Sequence, residues 1–166
     1  MSICNRRNVV LSIAGLLSHG MRRAHGELTP DRAAFTGNVE QALSTFLLAF
    51  DNLDWPLFRV YFASDATMFH PAAPNIKRID SPEAFEKAWL GVFARIKKQS
   101  GRNEPPYMNL QPQDLRIQTL SSEIALATFH LIDGDTTSRR SIMFRKYSDG
   151  WKIVHLHASN ITATTA

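Results

Sequence analysis

The side chains of this sequence best suited to chemistry are His70, His130, Arg139, Ser141, Arg145, His155 and His157. Imidazoles titrate near neutrality and serve as general acid or base. His155 and His157 stand two apart, which on a strand puts both on one face. With His130 they are the candidate catalytic groups. A His-x-His pair on a strand also offers two ligands to zinc, with His70 or His130 as a third. No acidic residue stands between the two histidines, and no second metal-binding motif accompanies them. The expectation is therefore no metal and no cofactor. Arg139, Ser141, Met143 and Arg145 share one strand face, and Arg140, Ile142, Phe144 and Lys146 share the other. An arginine inside an aromatic-walled cavity grips a carboxylate or phosphate through two parallel hydrogen bonds. The competing reading is a water-bathed polar stripe, with Arg139 paired to Asp133 or Asp135 across a turn and contributing little.

Carboxylates are scarce where a base would be needed. Asp65, Asp114, Glu123, Asp133, Asp135 and Asp149 all fall at strand ends or in turns. A mechanism built on a carboxylate base is not supported. No serine or histidine has the context of a nucleophile elbow, so hydrolysis is not supported either.

The elements that position these residues follow from periodicity. Thr29-Pro30 opens a helix whose apolar residues Phe35, Val39, Ala42, Leu43, Phe46, Leu47 and Phe50 recur at three and four. Asp54 caps a shorter helix through Phe62, and Ala66 to His70 reads as a strand stopped by Pro71. Ser81-Pro82 begins a third helix with Phe85, Ala88, Trp89, Val92, Phe93 and Ile96 on one side. From Tyr107 the period becomes two. Strands are expected over Leu115–Leu120, Glu123–Ile132, Thr136–Tyr147 and Trp151–Ser159, joined by short turns. Helices followed by an antiparallel meander give an α+β class.

The chain has 166 residues, enough for one domain. Its single cysteine, Cys4, excludes an intrachain disulfide framework. No apolar run approaches the ~20 residues of a membrane span. Of 19 basic and 15 acidic residues, Arg6, Arg7, Arg22 and Arg23 precede residue 27 and no acid does. The rest is charge-neutral, which argues against nucleic acid as a partner. Arg6-Arg7 followed by the apolar stretch Val9 to Leu17 resembles a twin-arginine export signal. Residues 1–26 are read as an export signal or a disordered N-terminus, and residues 27–166 as a single domain. The expected location is periplasmic or secreted, the alternative cytoplasmic.

The ending Trp151-x-x-Val154-His155-x-His157-x-Ser159, together with Asp54-Trp55 and Ala66 to Pro71, resembles the SnoaL-like branch of the nuclear transport factor 2-like superfamily. This superfamily is also called cystatin-like or ketosteroid-isomerase-like. The likeness is greatest to the association domain of calcium/calmodulin-dependent kinase II and its stand-alone bacterial relatives. It implies a cystatin-like cone, in which a curved antiparallel sheet wraps around a long N-terminal helix with two further helices. It also implies a pocket between sheet and helices and a homodimer through the outer face of the sheet.

The function expected is small-molecule binding by a homodimer, without demonstrable catalysis. The ligand would be small and apolar with an anionic or carbonyl group. The alternatives are a cyclase, isomerase or dehydratase using pocket histidines, or a pure oligomerisation module; the sequence does not decide whether the chain is an enzyme. Arg139, Ser141, His155, His157, His130, His70, Tyr61 and Trp89 are expected to line the pocket, with Phe46 and Phe69. This rests on a parity argument: Trp151 marks the inner face of the last strand, so Ile153, His155 and His157 join it. Val154, Leu156 and Ala158, with Ile142 and Phe144, are then left for the dimer face. A one-residue slip would turn Arg140 inward in place of Arg139.

Overall fold

The computed structural model describes residues 30–71, 77–133 and 135–162. In chain order the elements are α1 (Pro30–Asp51), α2 (Trp55–Val60), β1 (Phe62–Phe69), α3 (Pro82–Ser100), β2 (Gln113–Thr119), β3 (Ile124–Asp133), β4 (Thr136–Tyr147) and β5 (Gly150–Thr162). The segment read as an export signal, and the Thr29 cap of α1, lie outside the described residues. Among the described residues, no helix is long and apolar enough to cross a membrane.

Short polar side chains start the later helices. The Asp54 carboxylate accepts the Leu57 N–H at 3.0 Å, with Pro56 in the first turn of α2. Ser81 Oγ accepts the Ala84 N–H at 3.2 Å before α3. That helix stops at Gly101, whose φ of 63° is the left-handed cap that glycine adopts without strain. The second helix is shorter than its sequence suggests, because Phe62 already belongs to β1.

The five strands form one sheet in the order β1-β5-β4-β3-β2. Strands β2 to β5 are the antiparallel meander the period of two predicts. Strand β1 pairs with β5 in parallel. The long path from β1 through α3 and the meander permits this, since parallel pairing needs only a sufficient crossover.

One face of the sheet packs on α1. Val39, Leu43, Phe46 and Ala49 of α1 are buried, as are Ala125, Ala127, Phe129, Ile142, Phe144, Trp151, Ile153, Leu156 and Ala158 of the sheet. At the end of this core Phe58 is fully buried and meets the rings of Phe46, Phe50, Trp55, Phe62, Trp89 and Phe93 at centroid separations of 4.7–6.0 Å.

One irregularity decides which side chains enter the cone. Met143 pairs with His155 and Phe144 pairs with Ile153, so Val154 has no partner across the strand. This is a β-bulge, and it reverses the alternation. Trp151 and Ile153 point inward before it, and Leu156 and Ala158 after it. His155, His157 and Ser159 therefore leave the inner face. The assignment of Leu156 and Ala158 to an outward dimer face is corrected by the same bulge, and that of Ile142 and Phe144 by their pairing with the inward Leu156 and Ile153; all four are buried in the core.

Candidate ligand-binding site

Between the sheet and the helices lies a cavity of about 700 Å³. Its apolar wall includes Phe46 and Phe50 from α1, Trp89, Val92 and Ile96 from α3, Met68 from β1, and Phe129, Ile142 and Leu156 from the sheet. A cavity this size with aromatic walls and a few polar groups suits a small organic ligand. Its polar groups include His70, Arg95, Gln99, Asn109, Gln113, Ser138, Arg140 and Asn160. No aspartate or glutamate lines it among the described residues.

Arg140 is the charge that matters. It shares the inward face of β4 with Ile142 and Phe144, and it is mostly buried. Burial alone pushes its pKa down to about 10. Among the described residues its hydrogen bond goes to the Arg139 carbonyl, from Nη1 at 3.0 Å, and no carboxylate pairs with it. Arg95 is exposed at the mouth and well screened by water. Trp89 adds a buried indole N–H without an acceptor among the described residues.

The mouth is framed by the loop from Tyr107 to Gln111, whose five residues all line the cavity. Asp51 holds it. The Asp51 carboxylate accepts the backbone N–H groups of Met108, Asn109 and Leu110 at 3.0, 2.7 and 3.3 Å. Its own carbonyl accepts the Tyr107 N–H at 2.9 Å. Asn109 has a φ of 63°, a left-handed turn that lets successive N–H groups converge on one carboxylate. Sequence reasoning missed Asp51. The signal available was an acid on the last residue of a helix, where the dipole disfavours it. Asp51→Ala should free the loop and speed trypsin cleavage after Arg102 severalfold, as read by limited proteolysis and mass spectrometry. Unchanged cleavage would mean that the Arg102–Pro106 hydrogen bond and the Lys97–Tyr107 contact suffice to hold it.

Of the residues expected in the pocket, the structure places His70, Trp89 and Phe46 on its wall. Tyr61 is half-buried and meets the edge of Phe46 from outside the cavity lining. Arg139, Ser141, His130, His155 and His157 are brought together, but on the outer face of the sheet. One row across the sheet reads Phe69, His157, Ser141, Thr128, Arg116, and the next Thr67, His155, Met143, Leu126, Gln118. His155 Nδ1 lies 2.8 Å from Thr67 Oγ1, and Phe69 stands 5.7 Å from both imidazoles. Arg139 Nε donates to Ser159 Oγ at 3.2 Å. Desolvation, then His157 and Arg78, hold the His155 pKa below its usual value. The slip that turns Arg140 inward is the arrangement found.

This cone, with its sheet-backed cavity and capped helices, is the architecture of the nuclear transport factor 2-like proteins. The SnoaL-like domain family matches residues 39–164, and the chain belongs to that family. No curated protein sequence is significantly similar to it. Among solved structures it is similar to an NTF2-like protein of unknown function from Pseudomonas putida KT2440, at 17% identity and a TM-score of 0.62, covering 81% of this chain and 97% of that one. It is similar to a cystatin-like fold protein from Burkholderia xenovorans at 16% identity and 0.63, covering 81% and 97%. It is also similar to the association domain of Caenorhabditis elegans CaMKII at 18% identity and 0.58, covering 76% and 96%. At these identities the likeness concerns the fold.

Proposed function

We propose that the chain binds a small molecule inside the cone, with an apolar body against the aromatic wall and an anionic or carbonyl group on Arg140. The observation that carries this reading is a mostly buried guanidinium, facing a cavity of about 700 Å³ with no acidic residue among its described lining. A buried charge without a partner is costly, and an anionic ligand would offset that cost. The histidines expected to act as acid and base lie on the other side of the sheet, which supports binding over acid–base chemistry at His130, His155 and His157. Protein purified from its own host should show, in native mass spectrometry, a releasable adduct of about a few hundred daltons, the size such a cavity holds. Absence of an adduct, together with no saturable binding of apolar acids, would overturn the reading.

Self-association through the outer face of the sheet belongs to the same proposal. Phe69 is 39% exposed, Met143 36%, and Leu126 and Ile124 stand beside them. These residues replace the Leu156 set as the expected contact. Burial against a second copy would further disfavour protonated His155, so association should weaken as pH falls from 7.5 to 5.5. The sign follows from desolvation: covering His155 would lower further a pKa that burial already holds below its usual value, so the associated state binds fewer protons and acid favours separation. Sedimentation velocity at the two pH values measures it, and association unchanged or stronger in acid would refute the interface. Export through Arg6 and Arg7 is proposed alongside; replacing both with lysine should hold the protein in the cytoplasm, and unaltered partitioning would end that idea.

A further inference from the structure

Next to Arg140 the cavity wall has a corner rich in hydrogen-bond donors. Ser138 and Asn160 face each other across β4 and β5, and Arg140 and Ala158 form the neighbouring inward pair. Ser138 Oγ donates to Asn160 Oδ1 at 2.8 Å. That bond engages the acceptor of the carboxamide and leaves Nδ2 with its two N–H groups. Arg140 spends Nη1 on the Arg139 carbonyl and keeps the other nitrogens of its fork. Two residues along a strand are separated by roughly 7 Å, which long side chains span readily. Ala158, small and directly paired with Arg140, leaves room between them.

We propose, resting on the ligand-binding reading above, that the ligand's polar group is a carboxylate. It is held by the Arg140 fork and by Asn160 Nδ2, and Ser138 is a positioning residue that fixes which end of the carboxamide faces it. A planar carboxylate matches the guanidinium fork and is acceptor-only. A hydroxyl or a carboxamide brings no charge to set against the Arg140 guanidinium, so it makes only the weaker hydrogen bonds of a neutral group. An ammonium would be repelled. A phosphate monoester carries about two charges near neutrality against one mostly buried guanidinium, so it is overcharged for the corner.

The test titrates decanoate, decan-1-ol, decanamide, decylamine and decyl phosphate, each below its micellar concentration, into the intact protein by calorimetry. Decanoate should bind at least tenfold more tightly than the other four. Asn160→Asp should weaken decanoate at least tenfold. Ser138→Ala should narrow the preference for decanoate over decanamide, because the released carboxamide can turn its oxygen to the ligand. Decanoate, decanol and decanamide binding alike would overturn the carboxylate assignment and leave the cavity reading standing. Decyl phosphate binding most tightly would overturn it in favour of a phosphate. If none of the five bound, the cavity reading would fall with it. Should Asn160→Asp not fold, the ligand series on the unaltered protein decides alone.

Discussion

Arg140→Met should lose an apolar anionic ligand by roughly ten- to hundredfold and, without ligand, melt at a higher temperature than the parent. The first effect follows from the loss of charged hydrogen bonds, worth about 1.5–3 kcal/mol. The second follows from the burial that pushes the Arg140 pKa down to about 10. Below pH 10 the folded protein holds a guanidinium that it would rather not solvate so poorly, and that penalty is fully present at neutral pH. It is relieved only as pH rises from about 10 toward the usual arginine range. Methionine fills much of the same space without the charge. A gain of about 1–3 kcal/mol, or several degrees in melting temperature, is expected. Calorimetry for binding and thermal denaturation for stability read the two effects separately. A variant that binds as before, or that melts lower in the absence of ligand, would contradict the role given to Arg140. Arg139→Met, on the outer face, should leave ligand binding unchanged.

Phe58→Ala should cost about 3–5 kcal/mol, the range for deleting a large buried aromatic. Phe58 is fully buried and is met by six other rings, which tie α1, α2, β1 and α3 to one another. Few domains keep a stable fold after losing that much. The expected result is a protein unfolded, or nearly so, at 37 °C by circular dichroism. Phe58→Leu, which keeps most of the volume, should be intermediate. A loss below about 1 kcal/mol for the alanine variant would mean that this ring cluster is not the centre of the core.

The elements were readable because their signals are local. Asp54 with Pro56, and Ser81 with Pro82, are cap-and-proline pairs whose hydrogen bonds need no distant partner. The change of period at Tyr107 separates helices from strands for the same reason, and Trp89 and Phe46 reach the cavity because each lies on the apolar stripe of its helix. The site was less legible because it depended on one strand keeping strict alternation over nine residues. The apolar positions of β5 run Trp151, Ile153, Leu156, Ala158, and the gap of three in that series is the trace of the bulge at Val154. Followed within β4 alone, the pair Ile142 and Phe144 marks the inward face and places Arg140 on it. Carrying the parity of Trp151 through to His155 overrode that local evidence. The histidines, Arg139 and Ser141 do converge, as their spacing implies, but on the outside. Asp51 was hidden for a different reason: its partners are backbone N–H groups more than fifty residues away, and side-chain type says nothing about those.

The central claim is that the cone holds an apolar anion on Arg140, and a crystal structure of the protein saturated with decanoate tests it most directly. The carboxylate should lie ~2.7–2.9 Å from the Arg140 guanidinium, the span of a charge-assisted hydrogen bond, with the chain running between sheet and helices toward Met68 and Trp89. Decanoate seated on the outer face beside His155 and His157, with the cone holding only water, would contradict it.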